Sequence, residues 1–269
     1  MTTHADQQPS HESHPTTRCA LCQEFRALRE SHIVPNAYFR AMKKGSNGKL
    51  ISMDTSPDSV AMSSQDSLSE PLLCAECEER LCKWETPWIR KLRVTAKQFK
   101  AGVDEVAVKD HDHASLKCFL VSIIWRASVC SRPEFSGVML PGPVLETIRA
   151  DLLAGNAPPA GVIGVRIRKL VDPTGQLGDL ERFVFTPARF SEGGIQGYRL
   201  FFAGYVVDYL TSRVTREVTK IRGFVRDTPA MSMPSISCFD VREFMRVGRS
   251  MVGKHVRGLT AFKGALAAE

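Results

Sequence analysis

The pattern of hydrophobic and polar positions predicts two buried helices in the middle of the chain. In residues 113–130, apolar side chains recur every three or four positions, which is the spacing of one helix face. The apolar stripe is broad and contains Leu116, Phe119, Leu120, Ile123, Ile124 and Ala127. Residues 141–156 repeat the pattern, with Pro143 in the first turn and Gly155 just past the end. Both segments are predicted to be helices that bury an apolar face.

Three later segments have the alternation of β-strands: residues 161–170, 181–190 and 197–210. In the first, Ile163, Val165 and Ile167 would face one side of a sheet. Arg166 and Arg168 would then face the other side. Turn-forming residues rich in Gly and Asp separate the segments. We expect a small antiparallel sheet packed on the two buried helices.

Two further helical regions are predicted with interruptions. A helix begins near Glu76 and is expected to break at Pro87, because proline lacks the backbone donor of a helix interior. The C-terminal part is helical in pieces and is interrupted by residues 227–235, "DTPAMSMPS". The fold class expected from all these elements is α+β.

The N-terminal part has little continuous periodicity. Residues 1–17 are polar and are predicted to be a disordered tail, and residues 52–70 form a Ser- and Asp-rich insert that is typical of a mobile loop. We expect one unit over residues 18–85 and an α+β domain over residues 86–269. The chain has neither a secretory signal nor a run of about 18 apolar residues, so we expect a cytoplasmic protein without a membrane span.

Cysteine spacing changes this picture most. The chain has eight cysteines, and four of them form two Cys-x-x-Cys pairs, Cys19 with Cys22 and Cys74 with Cys77. In a reducing compartment such pairs indicate metal ligands rather than disulfides. Four thiolates in a tetrahedron are the ligand set of a structural Zn²⁺. A shared ion would also hold together the two ends of the long insert.

The charge of the chain is concentrated near its end. Residues 211–263 hold eleven Lys and Arg residues against four Asp and Glu, an excess of seven that equals the net charge of the whole chain, +7. A one-sided basic region suggests a polyanionic partner such as nucleic acid, although a solvated, solubilising face is an equal alternative.

Between the cysteine pairs lies His32, in the stretch "SHIVP", and the second pair is embedded in "LLCAECE". With these motifs, the chain resembles the HNH, or His-Me finger, endonucleases in which four cysteines staple a treble-clef ββα core. The resemblance covers roughly residues 18–85. It rests on Cys19, Cys22, His32, Ile33, Pro35, Leu73, Cys74 and Cys77. The chain is also similar to a group of bacterial proteins that add a segment like "LKCFLVSIIWRASV".

The resemblance implies an N-terminal treble-clef zinc finger and a role for each motif residue. His32 would end the first strand and act as the general base that deprotonates water. A single Mg²⁺ or Mn²⁺ would stabilise charge on the phosphate and on the leaving oxygen. Glu78 follows the second Cys-x-x-Cys pair, where the family usually has a His or Asn that binds this ion, and Glu30 could add a second carboxylate. Ser31 stands where many members carry an acidic ion ligand.

Alternatives remain at each of these positions. His32 could instead bind DNA or hydrogen-bond the zinc knuckle without catalysis, or be an ordinary structural histidine. Glu78 could be a solvated residue of the first helical turn that favours the helix dipole. Two functions are therefore carried forward: a metal-dependent endonuclease or nickase, and a catalytically inactive zinc protein that binds nucleic acid or a protein partner.

Basic residues supply candidate contacts to nucleic acid, with DNA expected rather than RNA. The candidates are Lys83, Arg90, Arg213, Arg216, Lys220 and Arg222. Trp84 and Trp88 lie among basic residues and could stack on bases, but packing residues are the favoured interpretation. His111 and His113 flank Asp112 and could bind a metal, but a loop or helix cap is favoured.

Overall fold

The computed structural model describes residues 17–44, 50–53, 62–64, 68–100, 102–175, 177, 180–212, 214–228 and 230–251. Apart from Thr17, the predicted tail lies outside the described residues. Five helices are described: α1 (Asn36–Lys44), α2 (Ala75–Ala96), α3 (His113–Val129), α4 (Gly142–Ala154) and α5 (Arg242–Met251).

The described strands form one large sheet and two small ones. The strands are β1 (Thr17–Arg18), β2 (Phe25–Arg26), β3 (Leu28–His32), β4 (Leu50–Met53), β5 (Met62–Ser64), β6 (Ser69–Cys74), β7 (Glu105–Lys109), β8 (Gly164–Val171), β9 (Phe183–Glu192), β10 (Ile195–Phe202), β11 (Tyr205–Leu210) and β12 (Ala230–Ser237). Antiparallel pairs β1–β2 and β3–β6 make the small sheets. The large sheet has eight strands in the order β5-β4-β9-β10-β11-β8-β12-β7.

The two predicted helices are confirmed as α3 and α4. Residues 116–127 of α3 are all buried, so the helix is enclosed on every side rather than along one stripe. In α4, Ile148 and Leu152 are buried, and Gly155 ends the helix at φ 84°, a left-handed conformation that glycine adopts without steric cost. Tyr209 in β11 donates a hydrogen bond of 2.9 Å to the carbonyl of Leu120, which ties α3 to the large sheet.

The sheet is larger than predicted and mixed rather than purely antiparallel. β4 pairs with β9, and β12 pairs with β8, in parallel register. Residues 197–210, predicted as one strand-like segment, form the hairpin β10–β11, which turns at Ala203 and Gly204 with positive φ at both. That turn geometry matches the twist of paired strands.

Two segments predicted to be irregular contain strands. Residues 227–235, predicted to be an interruption, hold most of β12. This strand contains Pro234 and still pairs with β7 and β8. The insert at 52–70 holds β5 and parts of β4 and β6, while residues 54–61 and 65–67 lie outside the described residues.

Helix α2 does not break at Pro87, so that prediction is wrong. The helix runs from Ala75 to Ala96 with Pro87 inside it and exposed. A proline frees one carbonyl in the preceding turn. On the exposed side of the helix, water can satisfy that carbonyl, and Leu81, Trp88 and Leu92 anchor the helix on both sides of it.

One continuous hydrophobic core joins the cysteine-rich segment to the large sheet. Leu21, Ile33 and Leu72 belong to the same buried cluster as Val165 and Val207. A second, smaller cluster lies on the opposite face of the sheet, beneath α5. No helix in the described part of the chain is long and apolar enough to cross a membrane.

Candidate metal centre and the His32 strand

The structure brings the four paired cysteines together. The sulfur atoms of Cys19, Cys22, Cys74 and Cys77 all lie within 4.8 Å of one another, and the Cys22 and Cys74 sulfurs are 3.9 Å apart. A tetrahedral Zn²⁺ with bonds of about 2.3 Å would separate its sulfurs by about 3.8 Å. The cluster therefore has the dimensions and the ligands of a structural metal site.

The first pair sits in a tight knuckle between β1 and β2. The amide of Cys19 donates to the carbonyl of Glu24 at 2.8 Å, and Gln23 adopts φ 66° to close the turn. The amide of Ala20 donates to the carbonyl of Leu72 in β6 at 3.1 Å. These bonds fix the first two sulfurs against the strand that carries the second pair.

The second pair lies at the start of α2. Cys74 is the N-cap residue, Cys77 is in the first turn, and the amide of Cys74 points at the Cys19 sulfur at 3.3 Å. The positive end of the helix dipole faces the cluster, which favours thiolates there. The helix predicted to begin near Glu76 therefore does begin at this pair of cysteines.

Burial acts against ionising all four thiols without a cation. It raises the pKa of the Cys22 and Cys77 thiols. Burial also raises the pKa of Cys19, but hydrogen bonds from the backbone of Cys74, Cys22 and Leu21 outweigh it and leave a net lowering. A bound divalent cation would supply the charge that keeps the whole set deprotonated.

His32 is the last residue of β3, and its side chain is half-buried. It pairs with Ser69 of β6 in the small β3–β6 sheet, and its ring lies 6.3 Å from the ring of Phe39 in α1. Ile33 and Val34 follow it and are fully buried. The histidine is therefore held at the point where the strand passes into the core.

Ser31 and Glu78 are neighbours. Ser31 is fully buried, and its hydroxyl accepts from the amide of Leu73 at 3.1 Å and donates to the carbonyl of Arg29 at 3.3 Å. Burial raises the pKa of Glu78, and the Ser31 hydroxyl partly opposes this. The Oε1 atom of Glu78 is buried and has no hydrogen-bond partner among the described residues. Side chains alternate along a strand, so Ser31 and His32 point to opposite faces of β3.

A buried arginine lies near this carboxylate. Arg126 of α3 forms an ion pair with Glu85 of α2, and it is 1% exposed. Its charge also lowers the pKa of Glu78, against the effect of burial. Arg126 was not expected from the sequence, although an arginine inside the apolar run "SIIWRASV" is a signal of a buried ion pair.

Glu30 lies on the same face of β3 as His32. The strand has an irregularity between Arg29 and Glu30, but from Glu30 to His32 the pairing with β6 is regular. Alternation therefore places the Glu30 and His32 side chains on one side, and Glu30 is exposed.

The basic residues predicted to contact nucleic acid lie on two elements. Lys83 and Arg90 are exposed on α2, and Arg216, Lys220 and Arg222 are exposed on the loop between β11 and β12. Arg222 forms an ion pair with Glu105 of β7. Arg213 and the basic residues beyond Met251 lie outside the described residues.

The weaker motifs serve packing and capping. Trp88 is buried and its indole donates to the Ser115 hydroxyl at 3.1 Å, so it joins α2 to α3. Asp112 caps α3 by accepting from the amide of Ser115 at 3.0 Å. Within the described residues, the four-cysteine cluster is the one group of three or more potential ligands that could hold a metal ion.

No protein-family model, no curated protein and no solved structure matches this chain. The metal-ligand geometry and the neighbouring side chains therefore carry the functional argument.

Proposed function

We propose that this chain is a zinc-stapled endonuclease or nickase of the HNH type, built on a treble-clef ββα finger, that hydrolyses phosphodiester bonds in nucleic acid. One observation carries the proposal: Ser31, directly before His32 in β3, lies close enough to Glu78 for its hydroxyl to lower the pKa of that carboxyl. Ser31 and Glu78 stand at the two positions at which the resemblance implies an ion ligand, and His32 is the residue for which it implies a general base.

In this proposal zinc has a structural role. The four thiolates join the β1–β2 knuckle to the start of α2, and β6 leads directly into that helix. Because β3 pairs with β6, the same ion fixes the strand that ends at His32. The histidine would thus be positioned without being a ligand itself.

His32 would take a proton from a water molecule, and the resulting hydroxide would attack the phosphorus as the bond to the leaving oxygen breaks. A histidine suits this step because its ordinary pKa lies near neutral pH. Its half-buried position at a strand end leaves part of the ring accessible. Arg132, which donates to the carbonyl of Ser69 at 2.9 Å, places a positive charge close to the strand position opposite His32.

The catalytic ion would be Mg²⁺ or Mn²⁺. Glu78 offers a buried Oε1 atom without a hydrogen-bond partner among the described residues, and Ser31 offers a hydroxyl. Mg²⁺ commonly uses one or two carboxylates and completes its shell with water and substrate phosphate, so this donor set fits. A bound ion would supply positive charge to the phosphate and the leaving oxygen.

A second candidate is nucleic-acid binding without hydrolysis. Two features favour it. The positive charge of Arg126 acts on the Glu78 carboxylate, and Ser31 has a hydroxyl at a position where the resemblance implies a carboxylate. Both features weaken the attraction for a divalent cation. In either function, the exposed basic residues of α2 and of the β11–β12 loop would contact the phosphate backbone.

The test is cleavage of supercoiled plasmid and of RNA with Mg²⁺ or Mn²⁺, comparing the wild type with His32→Ala. We expect the wild type to nick or linearise DNA and His32→Ala to lose about 100-fold or more of that activity, the usual contribution of a general base. His113→Ala, which removes a histidine at the start of α3, is the matched control and should retain activity. Equal zinc content in all three proteins shows that the finger is intact.

Absence of cleavage by the wild type on DNA and RNA, with either ion, would contradict the nuclease proposal. If the wild type nevertheless retards oligonucleotides in a gel, and the retardation weakens steeply with salt, the binding function is supported instead.

A further inference from the structure

We propose that Arg166 and Arg168 form a phosphate-binding site on the face of the large sheet opposite α3. The site would give the polyanion of the proposed function a second contact, distant in sequence from the finger. Binding of an oxyanion at this site does not require the proposed function. Only the assignment of that oxyanion to a nucleic-acid phosphate rests on the proposed function.

The two arginines lie on one face of β8. Val165 and Ile167 belong to the main core on the α3 side, so Arg166 and Arg168 point to the other face. Asp208 of β11 lies directly opposite Arg166 in the sheet, and Arg199 of β10 lies directly opposite Asp208. Three guanidinium groups thus converge on one carboxylate in the middle of the sheet.

The carboxylates in this cluster are unevenly distributed. Asp208 accepts from Arg199 at 2.6 Å and from Arg168 at 2.7 Å, and its distance to Arg166 is 3.9 Å. Arg199 also pairs with Glu192 and Glu243. In the part of the chain that the structure describes, Arg166 and Arg168 form ion pairs with Asp208 alone. The three arginines are balanced by three carboxylates, but Arg166 and Arg168 share Asp208 as their ion-pair partner, and Glu192 acts on them through space.

Arg168 has an unused donor in a buried position. The residue is 5% exposed, and its Nε atom is buried without a hydrogen-bond partner among the described residues. A buried donor without a partner is destabilising, so a ligand acceptor there would be favourable. The pKa of Arg168 is lowered to about 10, because burial and the charges of Arg166 and Arg199 outweigh the opposing effect of Asp208.

Arg166 gives the cluster its access to solvent. Its side chain is 26% exposed, and its Nε atom donates to the carbonyl of Arg222 at 3.2 Å. Arg222 belongs to the β11–β12 loop, which also exposes Arg216 and Lys220. The opening next to Arg166 is therefore flanked by a basic loop, which would attract an anion.

Phosphate fits the donors of this arrangement by shape. Planar guanidinium groups bind phosphoryl oxygens through paired hydrogen bonds, and the Nε atom of Arg168 has no acceptor among the described residues. The phosphate could be a free ion or a backbone phosphate of nucleic acid, and both present the same oxygens.

The experiment measures binding of inorganic phosphate by calorimetry, and of a short labelled oligodeoxynucleotide by fluorescence anisotropy, to the full-length protein. Arg166→Gln is the main variant because Asp208 keeps Arg168 and Arg199 as partners, so the fold is preserved. Arg166→Lys tests the guanidinium shape, and Lys97→Gln removes an equal charge from the exposed end of α2 as a matched control.

We expect saturable phosphate binding by the wild type and by Lys97→Gln, and a weakening of about tenfold or more in Arg166→Gln, as expected for a lost charge-assisted hydrogen bond. Arg166→Lys should bind phosphate with an affinity between those of the wild type and Arg166→Gln. No saturable phosphate binding by the wild type, or equal binding by Arg166→Gln, would overturn the site. Phosphate binding that depends on Arg166 without any oligonucleotide binding would keep the site and reject the nucleic-acid function.

Discussion

Lys117 is a buried lysine that forms no ion pair with any residue the structure describes. It lies on α3 and is 2% exposed, and the nearby Asp151 of α4 acts on it only through space. Burial lowers its pKa to about 8. The charged form is therefore disfavoured in the folded protein, and at neutral pH the lysine reduces stability.

Replacing this lysine should stabilise the protein. We expect Lys117→Met to raise the free energy of unfolding by about 2–3 kcal/mol near pH 7, because methionine has similar length and no charge to desolvate. The folded pKa of about 8 lies below the unfolded value, so the unfolded chain binds more protons between the two. Wild-type stability should rise with pH through that window, and the gain from methionine should shrink to about 1 kcal/mol near pH 9.5.

Denaturant unfolding at the two pH values measures both effects. Lys97→Met, at the exposed end of α2, is the control and should change little. Lys117→Met could instead gain the same free energy of unfolding at both pH values, or lose stability. Either result would show that the buried charge of Lys117 is not the cause of its effect on stability.

At the scale of elements, α2 and α3 are joined by polar contacts inside an apolar interface. The Trp88 indole bonds to Ser115 at one end, and Arg126 pairs with Glu85 farther along the two helices. The Nε atom of Arg126 also donates a hydrogen bond of 3.2 Å to the carbonyl of Ser122. This interface holds α2, and with it the second cysteine pair, against the main core.

Removing one partner of the Arg126–Glu85 ion pair should lower the free energy of unfolding far more than removing both. Arg126→Met leaves Glu85 charged and buried, so we expect the free energy of unfolding to fall by about 3–5 kcal/mol. The double variant Arg126→Met with Glu85→Leu should recover most of the loss, since apolar residues can replace a buried ion pair. Denaturant unfolding of wild type, both single variants and the double variant measures the coupling. Additive losses would show that the two charges act independently.

The sequence predicted the elements whose apolar periodicity is strong and missed those that depend on tertiary pairing. α3, α4, β8 and β9 follow from spacing alone, whereas the spacing predicts β10 and β11 as a single strand. Residues 227–235 are predicted to be an interruption although they hold most of β12 with Pro234, and α2 is predicted to break at Pro87. In both places contacts from other elements outweigh the local cost of proline, which a local pattern does not reveal.

At the scale of the whole molecule, one ion site would connect parts that are distant in sequence. The knuckle at Cys19, the small sheet of β3 and β6, and the start of α2 meet at the four sulfurs. Arg149 of α4 donates to the carbonyl of Leu21 at 2.6 Å, so the knuckle also contacts the helices on the large sheet. Loss of the ion would therefore loosen the strand that presents His32.

The four ligands of this site could be found from the sequence because Cys-x-x-Cys spacing is a local signal. The proximity of Ser31 to Glu78, and the charge of Arg126 near them, depend on how β3, α2 and α3 pack. The convergence of Arg166, Arg168 and Arg199 on Asp208 depends on strand order and register. Neither arrangement is encoded in any single segment.

Native mass spectrometry of the full-length protein, purified without added metal, tests the four-thiolate site most directly. We predict one bound ion with the mass of zinc per folded chain, and its loss in Cys77→Ser. A folded wild-type chain that carries no metal, or a Cys77→Ser chain that retains zinc, would contradict the site from which the position of His32 is argued.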